Sequence, residues 1–236
     1  MKNNRVLFSA ALCAALPFMA PANAATWDAT ADFNATTTAN PNGAWSYGYS
    51  PGSGSNYMFK RFDQLQDSAG VLHWGDSQYE SLRAPAFFKN NSSDTVTGAP
   101  PGVIALHPGL FENGDRAILR FTAPSSDFYS FVAQFFSGDI GETDAWIVMN
   151  EDFGSQLASL GVTSLSPTFS LTALALNAGD TIDFVVGNWG NYLFDTTPLS
   201  VLMSTASAPV PEPATLLMAA MGLGLLGASQ RSKPEL

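Results

Sequence analysis

From residue 116 onward the apolar positions recur with a period of two, and each run ends at a turn signal. Arg116–Thr122 places Ala117, Leu119 and Phe121 on one face, with Arg116, Arg120 and Thr122 opposite. That is the alternation of a strand with one buried side. Residues 129–135 alternate in the same way, and Pro124-Ser125-Ser126-Asp127 supplies the turn between the two runs. Residues 145–149 are a short apolar run of the buried kind. Thr168–Leu176 alternates through Phe169, Leu171, Ala173 and Ala175, or through Leu174 and Leu176; residues 181–186 and 199–203 complete the series. Gly-Asp pairs at 114–115, 138–139 and 179–180 punctuate it, and no stretch reads as a long amphipathic helix. The rhythm predicts an all-β chain folded as an antiparallel β-sandwich or jelly roll.

The stretch from 25 to 101 is less regular. Asn40-Pro41-Asn42-Gly43 is a turn leading into a strand on which Trp45, Tyr47 and Tyr49 share a face. A Gly/Ser loop follows at 51–55, a short strand and turn at 60–68, and a polar Pro/Gly-rich loop at 90–102. No charged or low-complexity linker separates the halves, so residues 25–208 read as one domain.

The two ends are different objects. Lys2 and Arg5, an apolar run over 6–19 and Ala22-Asn23-Ala24 form the pattern of a secretory signal peptide over residues 1–24. Cys13, the only cysteine, lies inside it, so the processed chain is expected to hold no disulfide and no Cys-ligated metal. Over 209–236, Pro211-Glu212-Pro213 precedes an uncharged run from 214 to 229, and Arg231 and Lys233 follow. This run is slightly short for a bilayer core of about 30 Å, yet it reads as a single transmembrane helix with its cations on the cytoplasmic side. Gly222, Gly224 and Gly227 lie within it and follow no strand, so they form no dinucleotide-binding turn.

Pro211, Glu212 and Pro213, the apolar span and the basic tail resemble the PEP-CTERM sorting signal of Gram-negative bacteria. The resemblance implies recognition by an exosortase, cleavage near the motif, and release or transfer of the upstream domain to the cell envelope. A plain C-terminal membrane anchor is the physical alternative. Residues 40–48, 106–109, 118–124 and 179–187 resemble a β-sandwich module common in exosortase-sorted proteins, similar in outline to jelly-roll domains of the carbohydrate-binding kind.

Charge sharpens the partner classes. The chain carries 10 Lys+Arg against 20 Asp+Glu, and the ends hold four of the cations (Lys2, Arg5, Arg231, Lys233) but only two of the acids (Glu212, Glu235). The middle is therefore strongly acidic, which argues against a nucleic-acid partner. Membrane contact is expected only through the terminal segments.

Candidate chemistry is sparse. His73 and His107 are the only histidines, and neither a G-x-S-x-G elbow nor an H-E-x-x-H pair is present. His107, just before Pro108-Gly109, reads as a strand end that binds backbone. Asp139, Glu142 and Asp144 stand in one Gly-bearing loop, as ligands for Ca²⁺ or as a solvated turn. Trp189, Asn191 and Tyr192 lie in a Gly/Asn-rich loop. There the rings either stack on the apolar C–H faces of a sugar or fill one end of the sandwich. The expectation is an exported, exosortase-processed, non-enzymatic envelope or matrix protein associated with exopolysaccharide. The alternatives are a carbohydrate-binding module proper, or a secreted polysaccharide hydrolase using acids such as Asp139, Asp144 or Asp183.

Overall fold

In the computed structural model, which describes residues 24–33, 39–52, 57–79, 84–110, 114–161 and 165–205, the period-two runs form strands as their alternation predicts. In chain order the first seven strands are β1 (Thr26–Asp28), β2 (Trp45–Ser50), β3 (Lys60–Arg61), β4 (Gln64–Ser68), β5 (Val71–Gly75), β6 (Ala86–Asn90) and β7 (Ile104–His107). The second seven are β8 (Arg116–Thr122), β9 (Asp127–Phe135), β10 (Asp144–Met149), β11 (Ala158–Gly161), β12 (Thr168–Leu176), β13 (Thr181–Gly187) and β14 (Thr197–Thr205). One sheet runs β12-β9-β14-β7-β6-β5-β4 with β1 also on β14, and the other runs β11-β10-β13-β8-β2-β3. Every pairing is antiparallel.

From β7 to β14 the chain weaves between the sheets. Strands β7, β14, β9 and β12 are neighbours in one, and β8, β13, β10 and β11 in the other. That order is the eight-strand jelly roll. Strands β4, β5 and β6 widen one sheet, and β2 and β3 the other. Ala24–Ala206 is one compact unit. The expected signal peptide with Cys13, the Pro211-Glu212-Pro213 motif and the transmembrane helix fall outside the described residues. Among the described residues no helix is long and apolar enough to cross a membrane.

Aromatic rings fill the space between the sheets. Trp45, Tyr47 and Tyr49 all point inward from β2 and are buried. Phe121 of β8 meets Trp27, Trp45 and Tyr129 at ring-centroid separations of 5.3, 5.2 and 5.8 Å. The Tyr129 hydroxyl keeps a partner by donating to the Ser125 carbonyl at 2.8 Å.

The two alternations of Thr168–Leu176 are both used, one after the other. The register of β12 against β9 shifts between Leu171 and Leu174, and Ala173 takes φ +57°. This bulge moves the inward face from Phe169 and Leu171 to Leu174 and Leu176, leaving Ala173 and Ala175 in solvent.

The outer face of the β8 sheet is covered rather than solvated. Tyr57, Phe59 and Phe153 pack there on Ile118, Val148 and Val185. Beneath them Asp183 is fully buried. Its Oδ1 accepts from Arg120 Nε at 2.6 Å, and its Oδ2 accepts from Arg120 Nη2 at 2.7 Å and from the Tyr57 hydroxyl at 2.8 Å. Glu151 also pairs with Arg120, at 2.8 Å, and the guanidinium lies 4.0 Å from the centre of the Phe59 ring. Asp183, a candidate acid by sequence, is a structural ion-pair partner enclosed in this layer.

Candidate functional site

The jelly-roll weave brings the ends of β7, β9 and β13 and the starts of β8, β10 and β14 to one end of the sandwich, where residues 108–110, 114–115, 136–143 and 188–196 lie. Segment 188–196 opens with a tight turn in which Asn191 N–H donates to the Asn188 carbonyl at 2.7 Å. Its two central residues both have positive φ, +43° at Trp189 and +87° at Gly190. That is the type I′ pattern, which glycine and asparagine adopt readily and a bulky side chain does not. A residue held there costs of order 1–3 kcal/mol. Trp189 is nonetheless 66% exposed.

Trp189 forms one wall of a pocket of about 340 Å³ with Arg116, Asp144, Trp146, Gly187 and Gly190. The Arg116 guanidinium is stacked 4.3 Å from the centre of the Phe153 ring and 5.4 Å from that of Trp146, which fixes its plane. Asp144 Oδ1 accepts from the Trp189 backbone N–H at 3.4 Å. Burial pushes the Asp144 carboxyl above its ordinary range, opposed by that N–H and by the Arg116 charge. Gly187 lies opposite Asp144 in the β10–β13 ladder, and a β-carbon there would press on Asp144 Oδ1 and the Trp146 ring. The pocket thus combines an exposed indole, a fixed cation and a half-buried carboxylate. An apolar wall with a few placed polar groups is the make-up of a ligand site.

The other two residues expected beside Trp189 stand elsewhere. Asn191 is a turn residue whose Oδ1 accepts from Leu193 N–H at 3.1 Å. Half-buried Tyr192 lines a separate, more apolar pocket of about 480 Å³ with His73, His107, Phe88, Val71 and Ala86. Both histidines of the chain therefore line one pocket on the outer face of the wider sheet, on β5 and β7 with β6 between them. His107 Nδ1 lies 2.8 Å from the Pro108 carbonyl, the backbone role its sequence context suggests. Burial lowers its pKa.

The three carboxylates expected to share Ca²⁺ do not converge. Asp139 caps the N–H of Ile140 at 3.1 Å, Glu142 is exposed, and Asp144 turns to Trp189. Among the described residues no three His, Cys, Asp or Glu side chains are placed to hold one metal ion. Successive residues of a loop point in different directions, so close spacing in sequence did not become closeness of oxygens. Arg116 and Trp146, which the sequence reading passed over, stand on the outward positions of β8 and β10. Arg116 showed only as part of the polar face of an alternating strand, and Trp146 lay in an apolar run of the buried kind.

Residues 209–233 match the PEP-CTERM protein-sorting motif. That motif implies export, recognition by an exosortase and sorting to the cell envelope or surface. No curated protein matches the chain. Among solved structures, the chain is similar to the CBM36-1 domain of a multidomain xylanase from the hindgut metagenome of Trinervitermes trinervoides. The identity is 10% over 45% of this chain and 79% of that one, with a TM-score of 0.30. A family 35 carbohydrate binding module from an environmental isolate is 18% identical over 44% of this chain and 77% of that one, at a TM-score of 0.28. The N-terminal cellulose-binding domain of Cellulomonas fimi β-1,4-glucanase C is 12% identical over 73% and 95%, at a TM-score of 0.30. These likenesses are distant, and the fold assignment stands on the strand order.

Proposed function

We propose that this chain is a non-enzymatic, exosortase-processed protein of the cell envelope or extracellular matrix that holds polysaccharide through the Trp189 pocket. The observation that carries the glycan reading is the conformation of Trp189. An indole that is two-thirds exposed gains little from burial, yet it occupies a left-handed backbone position that glycine would fill without strain. Folding does not account for a tryptophan there; a ligand that stacks on it does. Sugar rings offer apolar C–H faces to such a ring, and their hydroxyls suit the Arg116 guanidinium and the Asp144 carboxylate. Asp144 is the one carboxylate among the described residues that line the pocket. The usual glycoside hydrolysis takes two, which favours binding over turnover.

The test is retention of the full chain on polysaccharide extracted from the envelope of its producing cells. Trp189→Ala and Trp189→Gly are each expected to lose at least tenfold in affinity, about 1.4 kcal/mol. Trp189→Gly is expected to match or exceed the wild type in thermal stability, because the strain is relieved. Retention unchanged in both variants overturns the site. Release of new reducing ends from the polysaccharide overturns the non-enzymatic reading. For the sorting step, mass spectrometry of the protein from native cells is expected to find it without residues 216–236. A mature species that still carries them would mean an ordinary anchor.

A further inference from the structure

Asp195 lies just before β14, fully buried, and neither of its carboxylate oxygens has a hydrogen-bond partner. The hydroxyl of the adjacent Thr196 is buried and unpartnered as well. An unpaired buried carboxylate costs several kcal/mol, so such a group takes up either a proton or a cation. Burial, with the charges of Asp144 and Asp139 adding to it, pushes the Asp195 carboxyl up to about 8. The surroundings of this group are thus short of positive charge.

The oxygens around it converge. Asp195 Oδ1 and the backbone carbonyls of Phe194 and Leu193 all lie within 2.7 Å of one point beside Gly141, the point a β-carbon on that glycine would occupy. An ion cannot sit at that point, which is one bond length from the Gly141 Cα. Any side chain at residue 141 would collide with all three oxygens, so only glycine lets them close on one another. The Phe194 carbonyl already accepts from Gly141 N–H at 2.9 Å, which fixes the two segments against each other and leaves that oxygen a second lone pair.

We propose that segments 138–143 and 193–196 form a site for a hard divalent cation, Ca²⁺, with the Asp195 carboxylate and the Leu193 and Phe194 carbonyls as its protein ligands. Ca²⁺ takes six to eight oxygens at 2.3–2.6 Å, mixes carboxylates with backbone carbonyls and waters, and tolerates irregular loops. Mg²⁺ demands a stricter octahedron and gives up its waters reluctantly. The ligand set differs from the loop carboxylates expected by sequence: one acid, from another segment, joined by main-chain oxygens. Bound there, the cation neutralises Asp195 and fixes the chain that leaves the Trp189 turn.

The experiment uses the full chain, stripped with EDTA and dialysed, then titrated with CaCl₂ by calorimetry and thermal melting. One saturable site per chain is expected, with a melting temperature raised by about 5–10 °C at a hundredfold excess over the dissociation constant. MgCl₂ is expected to bind at least tenfold more weakly. Asp195→Asn keeps the shape of the neutral acid, so it should melt no lower than the wild type in EDTA and show no Ca²⁺ shift. Tb³⁺ luminescence of the wild type, displaced by Ca²⁺, provides a readout that depends on no variant. Absence of both the Ca²⁺ shift and the Tb³⁺ signal in the wild type overturns the proposal, as does an undiminished shift in Asp195→Asn.

Discussion

Asp183→Ala is expected to lower the unfolding free energy by about 3–5 kcal/mol, the cost of leaving one partner of a buried ion pair uncompensated. Asp183 is fully buried and accepts three hydrogen bonds, two from Arg120 and one from Tyr57. Without it the Arg120 guanidinium, whose side chain is only 11% exposed, keeps Glu151 alone, and the Tyr57 hydroxyl loses its acceptor. The covering layer of Tyr57, Phe59 and Phe153 holds water away from both. Replacing both charges with apolar residues of similar size, as in Arg120→Met with Asp183→Leu, should cost far less than the two single changes added together, because no charge is then stranded. Urea unfolding of the four chains of that cycle measures the coupling. A single Asp183→Ala loss below about 1 kcal/mol would show that the guanidinium escapes to solvent and that the pair is not structural.

The weave was legible where the two faces of a strand differ in polarity. β9 alternates because one face meets the core and the other carries Ser130 and Gln134, and β8 alternates because its covered outer face holds the arginines Arg116 and Arg120 in ring and ion-pair contacts. The aromatic face of β2 was equally readable, since its three rings turn the same way. β6 was hidden for the opposite reason. Phe87 enters the main core while Phe88 packs on the other side with Ala99, Ala105 and Val71, so the segment reads Ala-Phe-Phe with no period at all. In the candidate site, the exposure of Trp189 was legible as an aromatic residue in a Gly/Asn-rich loop. Its strained turn and its partners Arg116 and Trp146 were not, because they depend on which strands the jelly roll places side by side. Asp195 reads in sequence as an ordinary loop acid. Its burial is produced by the approach of Gly141 from a different segment, a long-range contact that local composition does not encode.

The largest single-residue effect in the core is expected at Phe121. Its ring is fully buried and meets Trp27 of β1 and Tyr129 of β9, which belong to one sheet, and Trp45 of β2, which belongs to the other. One side chain therefore spans the gap between the sheets and closes it at the end where the short β1 attaches. Truncation to alanine removes the transfer energy of the ring and leaves a cavity walled by three large aromatic groups that stack poorly on a smaller volume. The expected loss is about 3–5 kcal/mol, which for a domain of this size lowers the melting temperature by roughly 6–20 °C. Phe121→Leu keeps most of the volume and should cost clearly less. The position of the ring also predicts where the effect concentrates. β1 holds only three residue pairs with β14, so it depends on Trp27 for attachment. Hydrogen exchange at Trp27 and Asp28 should therefore accelerate in Phe121→Ala more than exchange in β13, whose ladders run on both sides. Uniform acceleration across both would mean that the sheets loosen together and that Phe121 does not pin β1 in particular.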